Sequence, residues 1–146
     1  MGSMTQSLED YIETIYVLKQ DTGSACVRDV ARALDVKMPS VVKAIHELKG
    51  LELVTQQPYA PIELTEKGVE LARAVLARHH LLRRFLMALG VSRRTSDVDA
   101  CRMEHILSAE TLDKIRDFTE RRDGARRGRA RTKPSARSAS GKTGGK

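Results

Sequence analysis

The sequence predicts a mainly α-helical protein: an N-terminal winged helix-turn-helix over residues 4–64, a helical domain over 65–120, and a disordered basic tail over 121–146. Three observations carry this reading. Apolar residues recur at spacings of three and four through most of residues 7–118, the pattern of amphipathic helices. That period breaks once, between Gly50 and Thr65, where short alternating stretches flank a polar, proline-bearing tip. Charge is also divided: residues 121–146 hold ten Lys or Arg and one acid, leaving 16 bases against 18 acids before them, so the net +7 of the 146-residue chain resides in its tail.

The elements follow in order. Leu8, Tyr11, Ile12, Ile15 and Tyr16 form one stripe, predicting a helix from Ser7 to Gln20 that Asp21-Thr22-Gly23 stops. Val27, Val30, Ala31 and Leu34 predict a second, closed by Asp35-Val36-Lys37. Pro39 and Ser40 open a third, which carries Val41, Val42, Ile45 and Leu48 to Gly50; proline suits a first helical turn. Two short helices joined by a tight turn, the second starting polar, make a helix-turn-helix pattern. Leu53 and Val54, then Ile62 and Leu64 around Glu63, read as the two strands of a wing. A long helix with the stripe Val69, Ala72, Val75, Leu76, Leu82 and Leu86 is expected from Thr65 until Gly90 ends it. Two more are expected, from Ser96 to Leu107 and from a Ser108 cap to Phe118. Beyond Arg122 the mixture of Arg, Lys, Ser, Gly, Ala and Pro cannot bury a core.

Composition narrows the function classes. The longest apolar run, Phe85 to Val91, falls far short of the roughly 20 residues a membrane helix needs, so no bilayer span is expected. Two cysteines 75 positions apart, with no charged-then-apolar leader, point to free thiols and the cytoplasm. Cys26 has no role in this reading beyond a small residue before the helix-turn-helix. In such a motif the first turn of the second helix meets base edges while flanking residues and the wing hold phosphates. Here that turn offers Lys37, Pro39, Ser40 and Lys43, with His46 one turn on; Arg28 and the wing-tip Tyr59 are candidates for phosphate. Affinity from so few charges calls for a dimer, the tail, or both. The tail itself has two readings: a non-specific attraction for DNA with a steep salt dependence, or a solvated segment without consequence.

Cys101, Glu104 and His105, at i, i+3 and i+4, share an arc of about 100° on an expected helix. Thiolate, carboxylate and imidazole beside an apolar stripe suit a divalent cation, and equally suit a small buried cysteine beside a solvated Glu-His pair. His79 stands in the apolar register of the long helix and needs a partner there, a carbonyl or a metal. Asp10 and Glu13 lie opposite the main stripe of the first helix, where they serve either as ligands or as acids favouring a helix N-terminus.

Four segments, Ser7-Leu-Glu-Asp-Tyr-Ile-Glu13, Lys37-Met-Pro-Ser-Val-Val-Lys43, Arg78-His-His-Leu-Leu82 and Ala100-Cys-Arg-Met-Glu-His-Ile-Leu-Ser108, together resemble the diphtheria toxin repressor and manganese transport regulator family of metal-dependent transcriptional regulators. The resemblance covers about residues 5–120. It implies winged-helix subunits paired as a homodimer through a helical metal-binding and dimerisation domain, binding a palindromic double-stranded operator and repressing metal-homeostasis genes when Fe(II) or Mn(II) is bound. The implied ligands are Asp10, Glu13, His79, Cys101, Glu104 and His105. Asp10 and Glu13 match manganese-type members and Cys101 iron-type members; the softer thiolate favours Fe(II), with Mn(II) second. Arg83 stands where iron-type members have a carboxylate in a second metal site, and larger members carry an SH3-like domain where this sequence has its basic tail. Two rivals frame the expectation: a winged-helix regulator indifferent to metal, and a metal-dependent hydrolase with Glu13 or Glu104 as general base. The second lacks any HExxH or nucleophile motif, so neither enzyme activity nor a small-molecule substrate is expected.

Overall fold

A computed structural model describes residues 6–131, with side chains for 7–127. Its elements are α1 (Gln6–Thr22), α2 (Val27–Leu34), α3 (Met38–Gly50), β1 (Val54–Thr55), β2 (Glu63–Leu64), α4 (Glu66–Ala88), α5 (Arg93–Met103) and α6 (Ala109–Arg131). The strands pair antiparallel, Val54 opposite Leu64 and Thr55 opposite Glu63.

Local signals end the helices. Gly23, at φ +78, closes α1 by donating its N–H to the Lys19 carbonyl. Asp35 takes the left-handed position after α2 that glycine usually fills, and the Val36 N–H reaches back to the Ala31 carbonyl at 3.0 Å. The Ile62 N–H donates to the Ala25 carbonyl at 2.8 Å, binding the wing to the α1–α2 connection. Thr65 caps α4 by accepting from the Gly68 N–H at 3.0 Å, while its own hydroxyl donates to the Glu52 carbonyl at 2.8 Å. Gly68 sits against the chain there: a Cβ on it would lie 2.0 Å from the Leu53 carbonyl oxygen.

Two apolar clusters result. The first joins Ile12, Ile15, Val30, Val41, Leu48 and Ile62 with Ala72 of α4; the second joins Leu81 and Leu82 of α4 with Ala100 and Leu112. Each fully buried Leu or Ile contributes about 1.5–3 kcal/mol. Since α4 supplies side chains to both and packs on α1, α5 and α6, it is the shared beam of the molecule.

Three expectations need correction. Val42, expected in the buried stripe of α3, is 55% exposed, because Val41, Ala44, Ile45 and Leu48 already fill the inward arc. Helix α5 runs Arg93–Met103, not Ser96–Leu107: Ser92 is the cap, accepting from the Thr95 N–H, and Ser96 is buried within the helix. Helix α6 continues past Phe118 and Arg122 to Arg131. Phe118 still packs edge-to-face on Phe85 with centroids 5.8 Å apart, and Asp123 pairs with Arg84. Arginine and alanine are good helix formers, which sustains the added turns. The rest of the expected disordered tail, 132–146, lies outside the described residues.

Candidate metal centre and nucleic-acid interface

All seven residues proposed from sequence to face DNA are exposed: Arg28 on α2, Lys37, Pro39, Ser40, Lys43 and His46 along α3, and Tyr59 at the wing tip. Lys37 is the N-cap of α3 and Pro39 lies in its first turn. Tyr59 adopts a left-handed φ of +62 and is held out from the hairpin while Gln56 Nε2 donates to the Ala60 carbonyl behind it. The sequence reading missed Met38 and Val42, 50% and 55% exposed on the same side of α3. Their i, i+4 spacing, offset from the buried Val41-Ala44-Ile45-Leu48 arc, was the available signal; such side chains suit contact with thymine methyl groups.

The six residues implied as ligands come from α1, α4 and the end of α5. Asp10 and Glu13 leave α1 on the side away from Ile12 and Ile15; His79 projects from α4; Cys101 occupies the last turn of α5. Glu104 and His105 do not share a helix with Cys101, since α5 closes at Met103. Glu104 nevertheless keeps helical backbone angles (φ −61, ψ −23), and the turn that begins there directs the His105 ring at α1.

Two groups of candidate donor atoms converge. Asp10, Cys101 and Glu104 form one and Glu13, His79 and Glu104 the other, with the atoms of each within 4.8 Å of one another. Glu104, 1% exposed, belongs to both. Its Oε2 meets His79 Nδ1 at 3.0 Å, while its Oε1 and His105 Nε2 are buried without a hydrogen-bond partner among the described residues. His105 Nε2 stands 2.9 Å from Asp10 Oδ1 and 3.3 Å from Glu104 Oε1. Its Nδ1 faces Glu9 Oε2 at 2.6 Å. If the ring proton sits on Nδ1 and donates to Glu9, Nε2 turns a lone pair toward two carboxylates, an arrangement that a cation stabilises.

Glu9 and Asp97 are the residues that the sequence reading overlooked. Arg78 Nη2 holds Glu9 at 3.0 Å, so an arginine, a carboxylate and a histidine run in series into the centre. Asp97 accepts from Arg83 at 3.2 Å and lies 3.7 Å from His79 Nε2. Glu9 is adjacent to Asp10, and Asp97 one helical turn before Cys101, which was the only signal either offered.

Crowded acids and burial displace the titrations. Burial, reinforced by the Glu104 carboxylate, pushes Glu13 up to about 7. Burial also raises Asp10, partly offset by His105. The hydrogen bond to Glu104 raises His79. Burial and then Glu104 push the Cys101 thiol up to about 11. The donors are oxygen, nitrogen and sulfur, three carboxylates among them, which fits a divalent transition metal of the Mn, Fe or Co type.

Comparison with known proteins agrees with this geometry. Residues 3–61 match the family described as iron dependent repressor, N-terminal DNA binding domain, and residues 65–130 the iron dependent repressor, metal binding and dimerisation domain. The chain is 39% identical over 116 residues to the HTH-type transcriptional regulator MntR of Geobacillus kaustophilus, covering 80% of this chain and 82% of that one. It is 37% identical over 120 residues to an uncharacterized HTH-type transcriptional regulator of Methanocaldococcus jannaschii, covering 81% and 96%. Among solved structures it resembles T. acidophilum IdeR (TM-score 0.69, 28% identity, 85% of this chain) and the manganese regulator SloR (0.70, 28%, 80%), spanning 56% and 55% of those chains. The chain therefore belongs to the iron-dependent repressor family, the metal-dependent transcriptional repressors of the diphtheria toxin repressor and manganese transport regulator group. These are regulators and not enzymes, with a DNA-binding domain followed by a metal-binding and dimerisation domain.

Proposed function

We propose that this protein is a metal-activated repressor of metal-homeostasis genes that acts in the cytoplasm as a homodimer on a palindromic operator, with Fe(II) as the favoured activator and Mn(II) second. In this reading residues 4–64 contact DNA, residues 65–120 hold the ion and pair the subunits, and the ligands are Asp10, Glu13, His79, Cys101, Glu104 and His105. The single observation that carries it is the buried Glu104 carboxylate, shared by two groups of donors that join α1 to α4 and α5.

A bound divalent ion supplies the positive charge that offsets three clustered carboxylates. The rest belongs to the chain. Asp10, Glu13 and Glu104 repel one another when ionised, which favours separation of α1 from the α4–α5 pair. Tyr11, Ile12 and Ile15 pack α1 into the same core as Val41, Ile45 and Leu48 of α3, so the position of the recognition helix follows that of α1. In a homodimer this fixes the separation of two recognition helices, which must match half-sites about 34 Å apart. Carrying the population from 1:99 to 99:1 requires about 5.5 kcal/mol of discrimination between the two arrangements. Cys101 supports Fe(II), because a thiolate is a softer donor than a carboxylate. The oxygen donors Asp10 and Glu13, and the manganese regulators among the relatives, support Mn(II) as the second reading.

The test is an anaerobic titration of metal-free full chain with Fe(II) and with Mn(II), reading anisotropy of duplexes selected from a random pool in the presence of metal. Binding only with metal is expected, and the ion effective at the lower buffered free concentration is the activator. Equal binding in chelator, or His79→Ala and Glu104→Ala variants that bind alike with and without metal, would overturn the proposal.

A further inference from the structure

The His105 ring faces carboxylates on both sides, and the two sides differ. Its Nδ1 meets Glu9 Oε2 at 2.6 Å. That same oxygen accepts from Arg78 Nη2 at 3.0 Å, so a fixed guanidinium already matches the charge on the Nδ1 side. Its Nε2 meets Asp10 Oδ1 at 2.9 Å and Glu104 Oε1 at 3.3 Å, and neither of those oxygens has an Arg or Lys partner among the described residues. The side chain is 2% exposed, so its orientation is set by these neighbours and not by bulk solvent.

A neutral imidazole has one N–H and one lone pair. With the proton on Nε2, the Nδ1 lone pair would point at the Glu9 carboxylate at 2.6 Å, a repulsive contact. With the proton on Nδ1, the ring donates to Glu9 and turns its lone pair toward Asp10 and Glu104, both members of the ligand set proposed above. Each arm of the series is carried by a helix that also carries a ligand: Glu9 precedes Asp10 on α1, and Arg78 precedes His79 on α4. His79 is held differently. The carboxylate facing its Nε2, Asp97 Oδ1, stands 3.7 Å away, past hydrogen-bonding reach, and accepts from Arg83.

We propose that Glu9 is a positioning residue for the metal centre: held by Arg78, it fixes His105 as the Nδ1–H tautomer and so presents Nε2 as a ligand. The inference rests on the assignment of His105 to the ligand set above. A ligating histidine gains both orientation and basicity from such a partner. What matters is where the oxygen sits, because a single Glu9 oxygen serves both Arg78 and His105. A glutamine carbonyl oxygen, with two lone pairs, can accept both bonds without the charge. An aspartate keeps the charge, and the acid in the first turn of α1, but withdraws the oxygen by one methylene.

The experiment compares the full chain with its Glu9→Gln, Glu9→Asp and His105→Ala variants. Mn(II) affinity is measured by chelator competition. Proton NMR of the Co(II)-loaded chains records the exchangeable ring N–H resonances, that of His105 being the one missing from His105→Ala. Glu9→Asp is expected to bind Mn(II) about 10–100-fold more weakly, the range for loss of such a partner, and its His105 N–H signal should broaden by exchange with water. Glu9→Gln should lose less than about tenfold and keep the signal. The reverse order, with Glu9→Asp near the parent and Glu9→Gln impaired, would show that Glu9 acts through its charge and overturns the inference. Equal losses in the two variants, or parent affinity and an unaltered N–H signal in both, overturn it as well and leave the proposed function standing. A parent chain that binds no Mn(II), or a His105→Ala variant with parent affinity, overturns the proposed ligand set itself.

Discussion

On α3 the side chains offered to a partner are exposed and are ordered by a single helix: Lys37, Met38, Pro39, Ser40, Val42 and Lys43 follow one another within two turns. In the candidate metal centre the side chains of Glu104 and His105 are buried, and their neighbours come from α1, α4 and α5, up to 96 residues away in sequence. The first surface exists as soon as one helix forms. The second exists only when three helices hold their relative positions, and for that reason its occupancy can report and bias those positions. A sensor has to be built from distant parts; a reader of base edges does not.

The sharpest way to break the comparison is Glu104→Gln. The substitution keeps the shape and removes the charge from both donor groups together. A supporting residue around a metal typically accounts for about 10–100-fold in affinity, so loss of the shared carboxylate should exceed that. Chelator competition should show the deficit, and DNA binding should no longer respond to metal. The metal-free variant should melt no lower than the parent, since one of three mutually repelling carboxylates is gone. Unimpaired metal affinity would mean that the two groups are a structural acid cluster.

Next in size is Gly68→Ala, at the joint between the two regions. The added Cβ would stand 2.0 Å from the Leu53 carbonyl oxygen, and backbone cannot yield as a side-chain tip can. Overpacking of this kind costs about 1–3 kcal/mol or more. Urea unfolding should show it, whereas a melting midpoint equal to that of the parent would contradict the close approach of α4 to the wing.

How much of this was legible in sequence differs between the regions for the same reason. The helix-turn-helix, the wing and the Thr65 start of α4 are written in local periodicity and capping, and they appear where the pattern put them. The α5 boundaries were missed because Ser92 and Ser96 are equivalent as letters; only burial shows that Ser96 is interior. The end of α6 was missed because an arginine-rich stretch reads as unfoldable until Arg84 is seen beside Asp123. In the centre, spacing brought Cys101, Glu104 and His105 into one segment, helix register marked His79, Asp10 and Glu13 as candidates with other roles still open, and only the family resemblance joined all six as ligands. Glu9 was invisible, since its partners His105 and Arg78 lie 96 and 69 positions away.

Lys43→Ala tests the other side of the comparison and should spare the centre. A good base contact contributes about 1–3 kcal/mol, so binding of a metal-selected duplex should weaken by roughly tenfold to a hundredfold. Metal affinity measured by chelator competition should be unchanged, as should melting, because Lys43 is exposed. A variant that bound DNA weakly and metal weakly would show that the two regions are not separable in this way.

The smallest expected effect is the pH dependence of the metal-free chain. Glu13 is raised from 4.5 to about 7, so between those values the folded form keeps a proton that the unfolded form has released. The unfolded state then binds fewer protons, and stability falls as pH rises through that window. His79 is raised as well; a histidine in that position contributes stability below 6.5 and loses it as pH climbs through its folded value, which is the same direction. Melting of metal-free protein should therefore drop between pH 5 and pH 8. Metal binding runs the other way, because ligands must be deprotonated: affinity should rise over the same range and protons should be released on binding. Glu13→Gln separates the contributions by flattening the fall in melting while weakening the ion. If metal-free melting instead rose with pH across this window, the carboxylates would not be crowded in the folded chain, and the centre would lose the repulsion on which its switching depends.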